Sequence, residues 1–152
     1  MANAIGSERG QTRAWGREIG LGAVAGVAGG LVFGAMMAMQ GMMPMIAGLV
    51  GSQNGGVGFV VHLVISAAIG AIYGAAVGNQ PGARQYGTAW LYGLGNGFVW
   101  WILGPLVIMP LLMGMGLQFG AALSPMMLMS LVGHLIYGVV TALAAVLLLQ
   151  RI

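Results

Sequence analysis

The chain has 152 residues, 59% of them hydrophobic and 5% charged, and it contains no cysteine. A soluble domain carries about 25% charged residues, so this composition excludes an ordinary water-soluble fold, and the missing cysteine excludes disulfides, thiolate metal sites and a cysteine nucleophile. The pI is near 10, but the five basic residues are dispersed arginines, which excludes the clustered basic surface that nucleic acid requires.

The seven charges are Glu8, Arg9, Arg13, Arg17, Glu18, Arg84 and Arg151, and they leave two long charge-free blocks. A membrane-spanning helix needs about 20 apolar residues. Each block therefore holds two spans, and the predicted fold is all-α: a polytopic membrane protein with four transmembrane helices in contact with the lipid bilayer.

Residues 1–16 read as a polar N-terminal arm, with Arg13, Trp15 and Arg17 as interfacial anchors. The apolar run that follows is too long for a signal h-region and is expected as a retained first span, Glu18 to Gln40. It carries Gly22, Gly26, Gly30 and Gly34 at spacing four. Such ladders let helix backbones approach closely in lipid. Residues 41–56 contain Pro44 and several glycines, which break the helix.

The second span is Val57 to Gly78. Its residues His62, Ser66, Gly70, Gly74 and Gly78 share one face, because positions four apart are helix neighbours. Residues 79–84 form a turn around Pro81 and Gly82. The third span, Gln85 to Met109, carries Gly93 and Gly97 on one face, Asn96 deep inside, and a kink at Gly104 and Pro105. A second apolar loop, 110–124, precedes the fourth span, Met126 to Gln150, where Ser130, His134, Gly138 and Ala142 repeat the spacing-four pattern.

All five arginines fall on one side of this four-span topology. The positive-inside rule makes that side, with both termini, cytoplasmic.

The segments MPMIAGLVG (Met43–Gly51) and MPLLMGMGL (Met109–Leu117) match, and each precedes a helix with a histidine in its outer half. The chain therefore reads as two tandem helix-pair repeats, 17–78 and 85–152, in the same orientation. Parallel repeats of this kind are related by an axis along the membrane normal.

The stretches HLVISAAIGAIY from His62, GLGNGFVWWILGPLVIMPLLMG from Gly93 and SLVGHLIYG from Ser130 resemble the YagU-like small bacterial inner-membrane proteins and relatives of unknown function. The resemblance covers more than half the chain. It implies a multi-helix bundle in the bacterial inner membrane and no established activity. The namesake's histidine late in the third helix is replaced here by Trp101, so nothing about that histidine carries over.

Intramembrane ionisable residues are functional-site hypotheses by default. His62 and His134, with Ser66, Ser130 and Asn96, form the candidate ligand-binding or proton-responsive set. The histidines could ligate a haem, a pigment or a metal, or they could simply bond to Ser66 and Ser130 one turn away. Methionines cluster at Met36–Met45 and Met109–Met129, on the histidine side, and thioether sulfur suits Cu(I). Methionine is equally an adaptable apolar filler. Asn96 is expected to bond across helices.

Catalysis is not expected. Aspartate is absent, both glutamates lie at or before the start of the first span, and the glycine runs sit inside apolar helices rather than in a phosphate-binding loop. The leading expectation is a non-enzymatic integral membrane protein. Its small-residue faces would serve a homo-oligomer or a place among other membrane subunits, and the outer half of the bundle would hold a small-ligand or partner site. A haem, pigment or copper subunit and a small channel or transporter are the alternatives.

Overall fold

The computed structural model describes the backbone of residues 2–151 and the side chains from residue 15 to 151. The described residues form six α-helices: α1 (Ala2–Met39), α2 (Met43–Ala47), α3 (Gly55–Val77), α4 (Tyr86–Leu103), α5 (Met109–Leu112) and α6 (Pro125–Leu149). No strand occurs among the described residues. Among the described residues four stretches are long and apolar enough to cross a membrane: Trp15–Met39, Gly55–Val77, Tyr86–Leu112 and Pro125–Leu149. The protein is an all-α, multi-pass membrane protein.

Several boundaries differ from the sequence expectation for local reasons. The N-terminal arm does not precede the first helix; α1 already begins at Ala2. The side chain of Arg13 lies outside the described residues. Pro44 starts a helix instead of only ending one, because the first turn has no need of its missing N–H. The chain reverses around it through Gly41 and Gly51, both left-handed at φ 68° and 72°. Asn54 then caps α3, its side-chain oxygen accepting from the N–H groups of Gly56 (2.8 Å) and Val57 (3.2 Å). Gly104–Ile108 forms a π-helical turn, and the span runs on through it into α5. A π turn absorbs the donor that Pro105 lacks. Ser124 caps α6 through Met127 N–H.

The helices pack in the order α3–α1–α6–α4. α1 packs most closely on α3, α4 on α6, and α1 on α6, whereas α3 and α4 scarcely touch. Two tandem hairpins related by a twofold axis would give α3 and α4 a contact equal to that of α1 and α6, and the packing lacks it. At the α1/α6 seam Gly29 lies directly against Tyr137 and Thr141. Between α3 and α4 an open groove remains, with Tyr73, Tyr92 and Trp100 among its lining residues.

Glycine makes the close contacts within each hairpin. A Cβ on Gly26 would stand 2.7 Å from the Gly70 Cα, and one on Gly22 would stand 2.8 Å from the Gly74 Cα. Gly30 backs onto Ser66 and Gly34 onto His62 and Phe59. Gly93 and Gly97 lie against the backbone of Gly138, Val139, His134 and Leu135. Gly78 closes α3 beside the stem of Glu18. The small-residue faces are therefore spent inside the chain and are not left free for a partner. Oligomerisation through those ladders is set aside on this geometry.

Candidate functional site

Three groups of side chains stand out: a histidine layer toward the methionine-rich end, a groove between α3 and α4, and an ion pair at the arginine-bearing end.

In the histidine layer, His62 is buried and its Nε2–H donates to the Gly30 carbonyl across the α1/α3 seam, 3.0 Å away. Ser66 Oγ donates to the His62 carbonyl (2.8 Å) and stands 3.5 Å from the ring nitrogen, at the limit of a bond. His134 bonds within its own helix: Nδ1–H donates to the Ser130 carbonyl at 2.8 Å, with Ser130 Oγ 3.3 Å from the same nitrogen. Phe33 of α1 packs edge-on against both imidazoles, with ring centroids 5.5 Å from His62 and 4.8 Å from His134. It is held in place by the notch at Gly133.

A phenyl ring thus packs against both histidines, and each histidine has one N–H committed to a backbone carbonyl. Each imidazole keeps its second nitrogen, Nδ1 of His62 and Nε2 of His134, free of a backbone bond. Among the described residues no group of three or more His, Asp or Glu side chains is placed to hold a metal.

Tyr137 makes the layer cooperative. Its hydroxyl donates to the Ser66 carbonyl of α3 at 2.7 Å, although α6 packs on α1. It can reach past α1 because Gly26 and Gly29 carry no side chain there. One phenol therefore ties three helices. Replacing Tyr137 with phenylalanine is expected to destabilise the protein by about 1 kcal/mol, read as a lower melting temperature in detergent with the fold retained.

The methionines divide by location. Met37 and Met43 are buried in an apolar cluster with Phe33, Ile46 and Tyr137, where they act as packing filler. Met39, Met113, Met115, Met126 and Met129 are exposed.

The second group lines an open groove of about 930 Å³ between α3 and α4, walled by Ile72, Tyr73, Asn96, Val99, Trp100 and Leu103. The lining is largely apolar, yet two of its polar atoms have no protein partner: the Tyr73 hydroxyl and the Asn96 amide nitrogen. Asn96 therefore does not make the cross-helix bond expected of it, because α3 does not come close enough to α4. On the same stretch of α4, Gly87 and Gly95 face open space.

At the arginine-bearing end, Glu18 is buried on α1 and forms an ion pair with Arg84 from the turn after α3. The Arg84 Nε–H also donates to the Gly78 carbonyl at 2.7 Å, satisfying the end of α3. Thr88 Oγ donates to the Gly82 carbonyl and fixes the turn against α4.

Sequence reasoning named His62, Ser66, Ser130, His134 and Asn96. The structure brings His62 and His134 against a common Phe33, keeps Ser66 and Ser130 on their own helices, and places Asn96 apart in the groove. It missed Phe33, Tyr137, Tyr73 and the Glu18–Arg84 pair as a group. Glu18 alone left a signal: a carboxylate entering a charge-free block calls for a cation. No family model, no curated protein and no solved structure matches this chain.

Proposed function

We propose that this is a non-catalytic membrane subunit that self-associates through the α3/α4 groove. The observation that carries the reading is Asn96, an unpartnered amide on the wall of an otherwise apolar groove. In lipid there is no hydrophobic drive between helices, so close packing and polar bonds decide association. The open Gly87 and Gly95 let a second α4 approach. Across a twofold axis the same patch meets itself. A primary amide both donates and accepts, so two copies of Asn96 satisfy each other once the side chain, whose nitrogen is covered within the single chain, turns out into the groove.

In this reading the arginine-bearing end faces the cytoplasm of a bacterial inner membrane, and the tandem hairpins descend from a duplicated unit. The resemblance to YagU-like proteins adds no activity to it. A transport role finds little support, since among the described residues the buried polar groups form separate islands.

The test is the oligomeric state of the full chain in lipid nanodiscs and by native mass spectrometry. The wild type is expected to be dimeric. Asn96→Leu should weaken the dimer roughly tenfold or more, from two symmetry-related bonds of about 1 kcal/mol each, while Asn96→Gln retains it. A wild type that stays monomeric at high protein-to-lipid ratio, or an unaffected Asn96→Leu variant, removes the proposal.

A further inference from the structure

We propose that the recess between the end of α1 and the start of α6 binds a soft monovalent cation, Cu(I) or Ag(I), through the thioethers of Met42, Met126 and Met129. The recess has a volume of about 430 Å³ and is lined by these three methionines with Gln40 and Pro125. One thioether from just after α1 and two from the start of α6 are thus brought to one opening, and the donor set contains no carboxylate and no imidazole. Glu18, the one carboxylate whose side chain is described, lies well back along α1, about 30 Å from its end at about 1.5 Å per residue. Gln40 turns its amide N–H onto its own helix, bonding Met36 O at 3.1 Å. Thioether-only sites select Cu(I) over the hard cations that oxygen ligands hold.

The distribution of methionine supports a role beyond filling space. Of the thirteen methionines all but Met1 lie between Met36 and Met45 or between Met109 and Met129. None lies in α3, in α4 or in α6 after Met129. Filler is needed wherever packing is irregular, and here Met37 and Met43 supply it, with Met36, Met42 and Met109 packed in part against the same cluster. Met126 and Met129 are 63% and 51% exposed, so they fill no core. A lipid-facing leucine would cover the same surface, whereas a thioether adds a lone pair within reach of the recess.

The experiment titrates Ag(I), which is redox-inert, into the full chain in detergent against excess free methionine. The wild type is expected to bind one equivalent per chain. Met42→Leu, Met126→Leu and Met129→Leu, each close in volume and so tolerated, should each weaken binding at least roughly tenfold. A Met113→Leu/Met115→Leu variant, removing exposed thioethers outside the recess, should bind as the wild type does. Oxidation by dilute peroxide gives a second readout: Ag(I) should slow sulfoxide formation at Met42, Met126 and Met129 and leave Met39 and Met115 unprotected. The proposal is overturned if the wild type fails to compete with free methionine. It is equally overturned if the triple leucine variant binds with wild-type affinity, or if protection falls evenly on all exposed methionines.

Discussion

Replacing Gly70 with leucine is expected to destabilise the helix bundle strongly, while replacing Gly20 with leucine is expected to leave it intact. A Cβ at Gly70 would stand 2.6 Å from the Gly26 Cα and press on the Gly22 carbonyl. Both obstacles are backbone, so no rotamer change relieves them. α1 must then move away from α3. That separation removes the His62–Gly30 bond, opens the Gly30–Ser66 contact and takes away the window through which Tyr137 reaches Ser66. Overpacking a core costs about 1–3 kcal/mol and sometimes more. Here the upper end applies, because in lipid no hydrophobic effect re-closes the parted helices. The measurement is gel-filtration homogeneity and thermal melting in detergent. Gly20, on α1 with nothing within 4 Å of its would-be Cβ, controls for glycine loss itself. A Gly70→Leu protein that melts with the wild type would show that the two backbones are not in contact.

The sequence announced this contact because it is a local property. Four glycines at spacing four on one helix, and His62, Ser66, Gly70 and Gly74 on another, mark two faces that only another backbone can fill. What those faces would meet was less legible. They were expected to serve a partner as well, and α1 and α3 instead consume each other's. The choice between an α1/α6 seam and an α3/α4 seam is non-local. It depends on how Phe33, Gly133, Tyr137 and Thr141 fit at the α1/α6 seam, and no spacing rule encodes that fit. The groove and the orphaned Asn96 amide follow from it. The histidines were found by polarity alone. Their relation to Phe33 was not, since an apolar ring among apolar residues leaves no mark in the sequence.

The Glu18–Arg84 pair is the place where a surface-style substitution should do core-style damage. Arg84 is 38% exposed through its side chain, but Glu18 is only 1% exposed. Arg84→Leu therefore removes a half-exposed cation and leaves a buried carboxylate without its counter-charge. Glu18 Oε2 already has no partner, so no second donor stands ready. Breaking a buried pair from one side costs about 3–5 kcal/mol, and the substitution also strips the Gly78 carbonyl of its donor. An intact pair of this kind adds little net stability, because desolvation offsets attraction. The double variant Glu18→Gln/Arg84→Leu should consequently recover most of what Arg84→Leu loses, and Glu18→Gln alone should cost less than Arg84→Leu alone. Arg84→Lys should fall between, keeping the charge but not the planar fork that serves Glu18 and Gly78 together. Melting temperatures of the wild type, Glu18→Gln, Arg84→Leu and the double variant in one detergent close the double-mutant cycle. If Arg84→Leu melts with the wild type, the buried carboxylate is neutralised some other way, and the turn after α3 is not anchored to α1 by charge.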